Sequence, residues 1–160
     1  MGPLADAVAA LQASPFGAWA RGSAHAYPVA NLAHLLGLLL LVGGIGVVDL
    51  RVAGLFRMIP VAPLSRALTP LAVTGLILML PSGFTMFAAD AKALAASPLF
   101  RWKLALIVLA LANAVAFRRA WGRRLDRWGG EPPPAARAMA AASLALWLVV
   151  GALGRLIAYA

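Results

Sequence analysis

The sequence predicts an all-α integral membrane protein, built as an up-down-up-down four-helix bundle with a short amphipathic segment at its N-terminus. Hydrophobic residues make up 63% of the 160 residues, and the mean hydropathy is +0.89. This composition is typical of a membrane protein rather than of a soluble domain. Four apolar runs are each long enough to cross a hydrocarbon core of roughly 30 Å as a helix. The connections between them are short, which favours antiparallel neighbours.

The four apolar runs form one membrane domain, residues 27–160. The predicted spans are 28–48, 67–89, 99–117 and 138–158. In the second span, Thr69-Pro70 is a suitable helix start, and Pro81 in its interior predicts a bend. Residues 1–26 lack the basic start and the continuous apolar centre of a signal peptide. They are predicted to lie at the membrane surface, with a helix that ends at Ser14-Pro15.

The glycines of the first span predict where this helix lies in the bundle. Gly37 and Gly44 are seven residues apart, which is close to two helical turns, so both fall on one face. In lipid, small residues on one face allow a neighbouring backbone to approach closely. The first span is therefore predicted to be central.

Basic residues concentrate in two of the predicted connections. The net charge is +9, with 14 Lys and Arg against 5 Asp and Glu. Three arginines lie in the connection 51–66 and six lie in residues 118–137, so nine of the fourteen basic residues belong to these two loops. By the positive-inside rule both loops face the cytoplasm and both termini face outward. This distribution is typical of membrane topology, so nucleic acid is not a predicted partner, whereas the lipid bilayer is.

The residue types present exclude several kinds of chemistry. The chain has no cysteine, which excludes disulfides, thiolate-held iron–sulfur clusters and a thiol nucleophile. The spans contain no pair of carboxylates, no Ser-His-Asp set and no glycine-rich phosphate loop. No catalytic residue is therefore predicted, and a hydrolase, a kinase or a pump is not expected.

His34 is the main candidate for a cofactor or metal ligand. It lies about two turns inside the first span, where ionisable residues are rare and usually face the bundle interior. Neutral imidazole is the commonest transition-metal ligand. The alternative is a structural imidazole, hydrogen-bonded to Asn31 or to another helix.

Two methionines could complete a site with His34. Gly75, Met79, Ser82 and Met86 share one face of the second span by their spacing. Met79 or Met86 opposite His34 could form the axial pair of a b-type haem, and His34 with both methionines suits copper(I). Methionines at helical spacing are also ordinary core residues. A bundle without any cofactor is therefore the third alternative.

Three basic residues near the outer end would complement a haem. Arg101, Lys103 and Arg155 would place positive charge where haem propionates could pair with it. Alternatively, Arg155, close to the end of its helix, extends to water without a partner. Asn113 in the third span is predicted to form a hydrogen bond between helices.

The chain resembles a family of small, uncharacterised bacterial four-span membrane proteins. The resemblance rests on Tyr27-Pro28, His34, Asp49-Leu50-Arg51 and Phe100-x-x-Lys103, and it covers most of residues 27–117. Asn31 stands where that family has a glutamate, and Arg118 stands where a histidine is expected. More distantly, the chain is similar to the cytochrome b and copper-resistance D types of membrane bundle.

This resemblance implies a multi-pass protein of the bacterial inner membrane, with both termini on the periplasmic side. Its first implied function is a b-type haem or redox protein with His34 as axial ligand. A partner chain could supply the second ligand. The alternatives are a cofactor-free structural or accessory subunit, associated with itself or with a partner membrane subunit, and a copper-handling protein.

Overall fold

The structure is a computed structural model that describes residues 2–128 and 131–159. Within these ranges the chain is helical, with no strand. The helices are α1 (Pro3–Ala13), α2 (Pro15–Gly22), α3 (Ala26–Ala53), α4 (Val61–Ala89), α5 (Ala91–Ala96), α6 (Pro98–Trp121) and α7 (Pro134–Ile157), with a 3-10 turn at Leu125–Arg127. The long helices α3, α4, α6 and α7 are long and apolar enough to cross a membrane. The predicted fold class, a membrane four-helix bundle, is confirmed.

The observed helices extend beyond the apolar runs from which the spans were predicted. The prediction that α4 begins at Thr69-Pro70 is wrong, because the helix begins at Val61 and Pro70 lies inside it. Val61 and Ala62 are buried in the core at this end of the bundle, which explains why the first turns are helical. The connection between α3 and α4 is therefore 54–60, shorter than the predicted 51–66. Residues 91–96, predicted as loop, form the short helix α5.

Helix α3 is the centre of the bundle, as its glycines predict. It packs extensively against α4 and also against α7, whereas α6 packs mainly against α7. A Cβ atom on Gly37 would lie 2.7 Å from the backbone oxygen of Gly75, and a Cβ on Gly44 would lie 2.9 Å from the backbone oxygen of Leu68. These distances are too short for a side chain. The glycine stripe therefore lets the backbones of α3 and α4 meet directly.

Two clusters of buried side chains fill the bundle. The middle cluster joins all four long helices and includes Leu41, Met79, Ala110, Trp147 and Val150. The second cluster lies at the arginine-rich end, where Leu125 of the 3-10 turn packs against α3, α4 and α7. Because Leu125 is part of the core, the 3-10 turn is held against the bundle.

The N-terminal segment forms two helices that contact the C-terminal part of α4. Ser14 separates them, and its hydroxyl accepts a hydrogen bond from the Gly17 amide at 3.1 Å, a standard N-cap. Arg21 Nη1 donates to the backbone oxygen of Ala89 at 2.9 Å. The rings of Phe16 and Phe84 stack with centroids 5.7 Å apart. The predicted helix end at Ser14-Pro15 is confirmed, and the segment lies against the bundle.

Polar contacts hold the arginine-rich end together. Helix α3 ends at Ala53 and is followed by Gly54, whose φ of +119° is left-handed, the usual conformation after a helix C-terminus. Arg137 Nε of α7 donates to the Ala53 backbone oxygen at 3.2 Å. Across the loops, Arg57 pairs with Glu131 at 3.0 Å. The two arginine-rich connections are therefore joined to each other.

Asn113 on α6 joins the second pair of helices within the bundle. Its Nδ2 donates to the backbone oxygen of Met139 on α7 at 3.0 Å. The predicted hydrogen bond between helices is confirmed.

Candidate functional site

The candidate site is a group of polar side chains in the half of the bundle away from the arginine-rich loops, centred on His34. His34 is eight residues into α3, about 12 Å from its start at a rise of about 1.5 Å per residue. The imidazole is half-buried, and its Nδ1 lies 3.1 Å from the hydroxyl oxygen of Ser82 on α4. Of the two predicted structural partners, another helix is the one observed. Asn31 is exposed.

The hydrogen bonds of Ser82 define the proton position on His34. The Ser82 hydroxyl donates its only hydrogen to the Leu78 backbone oxygen at 2.6 Å. With that hydrogen engaged, the Ser82 oxygen accepts from His34 in the tautomer that carries Nδ1–H, and the backbone carbonyl of Met79 is a second acceptor near the ring. In the neutral ring, Nε2 is then left with its lone pair. This is the arrangement of a ligating histidine, whose other ring nitrogen donates to a supporting polar group.

Glycine makes room for the imidazole on α4. A Cβ on Gly83 would lie 3.0 Å from His34 Cε1 and 3.4 Å from Nδ1. Any larger residue at this position would press on the ring and disturb its hydrogen bond with Ser82. Ser82 therefore orients the ring, and Gly83 leaves the space that the ring occupies.

Lys103 on α6 brings a positive charge to the same region. It is half-buried, and a Cβ on Gly154 of α7 would lie 3.0 Å from the Lys103 amine nitrogen. Lys103 is near enough to His34 for the two to interact electrostatically. His34 of α3 and Ser82 of α4 are thus in hydrogen-bond contact, and Lys103 of α6, beside Gly154 of α7, is the charged side chain of the same region. We call these four residues the outer cluster.

Lys103 has no acidic partner in the described part of the chain. Among residues 2–128 and 131–159, the ion pairs are Arg57 with Glu131 and Arg66 with Asp126, both at the opposite end of the bundle. A lysine at membrane depth is costly unless it has a partner or faces water, and such residues usually mark functional positions. The outer cluster is therefore suited to an anionic group.

The two methionines occupy different environments. Met79 is 8% exposed, and its Cγ would lie 2.7 Å from a Cβ on Gly37. It fills the α3–α4 interface on the same side of α3 as His34, and it belongs to the middle core cluster. Met86 is half-buried, one turn beyond Ser82. Their predicted role as ligands stays a prediction.

The remaining predicted site residues lie nearer the outer surface. Arg155 is exposed; it forms a hydrogen bond with the Tyr159 hydroxyl and lies over its ring at 4.6 Å. Arg101 is exposed and, with Pro98 and Trp102, lines a cavity of about 320 Å³. Both arginines place charge at the end of the bundle opposite the arginine-rich loops, but they are not part of the outer cluster.

The site's chemistry is that of one imidazole and one amine. No group of three or more His, Cys, Asp or Glu side chains that could hold a metal ion occurs within the described ranges. The sequence interpretation placed Ser82 on the correct face of α4, but it missed Gly83 and Gly154. Only the packing of the helices shows that Gly83 lies beside His34 and that Gly154 lies beside Lys103.

Comparisons with protein-family models, with curated proteins and with solved structures find no match.

Proposed function

We propose that the outer half of the bundle binds an anionic cofactor, and that this cofactor is a b-type haem with His34 as axial ligand. The observation that supports the proposal is the orientation of His34. Its Nδ1–H is directed to Ser82, so Nε2 is the nitrogen that would bind iron. An imidazole oriented by a second hydrogen bond is a stronger and better positioned ligand than a free one.

Two side chains of the donor set suit a haem. His34 would supply one nitrogen ligand, and Lys103, which has no acidic partner among the described residues, would supply positive charge for a propionate. Met79 lies in the same α3–α4 interface as His34, and Met86 lies one turn beyond Ser82 on α4. The proposal assigns the second ligand position to Met79, to Met86 or to a residue of a partner chain. A bound haem would supply one-electron redox chemistry.

The absorption spectrum of the purified protein tests this proposal. Protein produced with a haem precursor in the medium should show a Soret band. The His34→Ala variant should lose it, whereas His25→Ala should keep it, because His25 is exposed at the start of α3. A parent protein without a Soret band, or a His34→Ala variant with full haem content, would overturn the assignment.

A cofactor-free accessory subunit is the second candidate. It is favoured by the same hydrogen bond, because His34 and Ser82 join α3 to α4 whether or not a ligand binds. It is also favoured by α6, the least buried of the four long helices, which leaves an apolar face for lipid or for a partner subunit. This candidate predicts a spectrum without haem and an oligomer in detergent.

Copper(I) is a third candidate, because His34, Met79 and Met86 are suitable soft ligands. Metal analysis of the same preparations separates it from the other two. Copper bound in equal amount to protein, and lost in His34→Ala, would favour copper handling over haem binding.

We also propose the bacterial inner membrane as the location, with both termini on the periplasmic side. The support is the charge distribution, since the connections that contain nine of the fourteen basic residues lie together at one end of the bundle. In this orientation the outer cluster faces the periplasm.

A further inference from the structure

A cavity of about 400 Å³ opens at the arginine-rich end, between α4 and α6. It is far from the outer cluster and has no part in the function proposed above. Its volume is within the range of about 300–1,000 Å³ that is typical of small-molecule sites. It forms because α4 packs against α3 while α6 packs mainly against α7. A groove therefore remains between the second and third spanning helices.

The end of the cavity nearest the loops is polar and positively charged. Arg66 of α4 and Arg118 of α6 line it from opposite sides, together with Asp126 of the loop. Arg66 Nη2 donates to Asp126 Oδ1 at 3.1 Å, which uses one of the five N–H donors of its guanidinium. Two arginines against one aspartate leave a net positive site with free donors.

Two hydroxyl groups extend the polar part of the cavity along α4. Ser65 and Thr69 both line it, and their oxygens are 3.3 Å apart. Ser65 is only 5% exposed, so its hydroxyl lies inside the groove rather than in bulk solvent. Hydroxyl and guanidinium donors together are well suited to the oxygens of a phosphate.

Further along α4 the lining becomes apolar. Pro70 and Val73 line the part of the groove that is furthest from the loops along α4, and Val73 is seven residues from Arg66, about 10 Å along the helix. The groove is thus charged near the loops and apolar further along α4, where Pro70 and Val73 are exposed, in the direction in which a bilayer changes from headgroups to hydrocarbon. A ligand with an anionic head and an apolar chain matches both ends.

We propose that this groove binds an anionic phospholipid of the leaflet next to the arginine-rich loops. The phosphate lies between Arg66 and Arg118, and the first part of an acyl chain contacts Pro70 and Val73. Basic pockets between spanning helices commonly recognise anionic headgroups. Asp126 opposes this binding, because its carboxylate is an anion at the mouth of the same cavity.

Native mass spectrometry of the full chain in detergent tests the proposal, with phosphatidylglycerol and phosphatidylcholine of identical acyl chains as probes. We expect retained phosphatidylglycerol to exceed phosphatidylcholine. Arg118→Gln should weaken phosphatidylglycerol binding about fivefold, the effect of one basic residue near an anionic lipid surface. Arg119→Gln is the matched control, because Arg119 is the adjacent arginine and does not line the cavity. Equal losses of phosphatidylglycerol binding in Arg118→Gln and Arg119→Gln would overturn the proposal.

Two further variants separate this site from general charge attraction. Asp126→Asn should strengthen phosphatidylglycerol binding, although it lowers the stability of the loop by removing an ion pair. Val73→Trp should weaken binding with every arginine still present, because it fills the apolar end. Unchanged phosphatidylglycerol binding in Val73→Trp would show that no phospholipid site exists here. The same conclusion would follow if inorganic phosphate bound in an Arg118-dependent way and competed fully with the lipid.

Discussion

The backbone oxygen of Gly75 lies 2.7 Å from the position that a Cβ atom on Gly37 would occupy. The contact is reciprocal, since a Cβ on Gly75 would lie 2.5 Å from the backbone oxygen of Gly37. Helices α3 and α4 therefore pack with their backbones in direct contact. In lipid, where the hydrophobic effect does not drive helix association, such close packing is a main source of stability.

Replacing Gly44 with Leu should destabilise the bundle by about 1–3 kcal/mol, the usual cost of overpacking. Gly44 continues the same contact, since a Cβ at this position would lie 3.0 Å from the Ala72 amide nitrogen. The control is Gly43→Leu, because a Cβ there would meet no atom within 4 Å. Thermal unfolding in detergent measures the difference. If both variants unfold at the same temperature, the α3–α4 contact is not a source of stability.

Replacing Lys103 with Met should raise the thermal stability of the cofactor-free protein. The change removes a charge at membrane depth that has no acidic partner within the described ranges, and the gain should be of the order of 1 kcal/mol. Lys92→Met should have little effect, because Lys92 is exposed on α5. The same Lys103 variant should bind haem or another anion less tightly. A Lys103→Met protein that is less stable than the parent would show that the amine has a structural role.

Replacing Ser82 with Ala should cost about 0.6 kcal/mol, the average for a hydrogen bond between membrane helices. The bond to His34 is lost, and Nδ1 no longer has a fixed acceptor. The loss should disappear in a His34→Ala background, because the two residues act as a pair. Thr85→Ala is the control, since Thr85 bonds only to Pro81 on its own helix. Equal costs for Ser82→Ala in both backgrounds would argue against the His34–Ser82 bond.

Reporter enzymes fused to each terminus should be active if they function only outside the cytoplasm. Reporters that function only in the cytoplasm should be inactive at the same positions. The nine basic residues of the two arginine-rich connections lie at the opposite end of the bundle. Positive charge favours retention of that end in the cytoplasm. A fusion inserted in the connection 54–60 should give the reverse result. Cytoplasmic activity from the terminal fusions would mean that the topology is inverted.

Sequence periodicity and composition were sufficient to predict the four spanning helices and the contact surface of α3. Apolar length identifies a span, and glycines seven residues apart identify a face. The same reasoning placed the start of α4 too late, because Pro70 is a normal first-turn residue and nothing local shows that Val61 and Ala62 would be buried. Helix ends are fixed by tertiary packing, which composition does not describe.

The candidate site was predictable only in part. His34 is identifiable because a polar residue in an apolar run is costly. Its partner Ser82 was placed on the correct face, but the hydrogen bond depends on the relative position of two helices along the membrane normal. Gly154 could not be found at all, since its importance comes from Lys103 on another helix. Spacing within one helix carries no information about register between helices.

The bond from Arg137 to Ala53 also has a consequence for biosynthesis. Ala53 and Arg137 are 84 residues apart, and the Ala53 carbonyl is one of the groups that a helix C-terminus leaves without a partner from its own helix. When α3 enters the membrane, the residue that satisfies this carbonyl has not yet been translated. The Ala53 carbonyl at the end of α3 therefore stays exposed to water until α7 is translated. A chain truncated before Arg137 would lack this donor, so the Ala53 carbonyl would have to bind water instead.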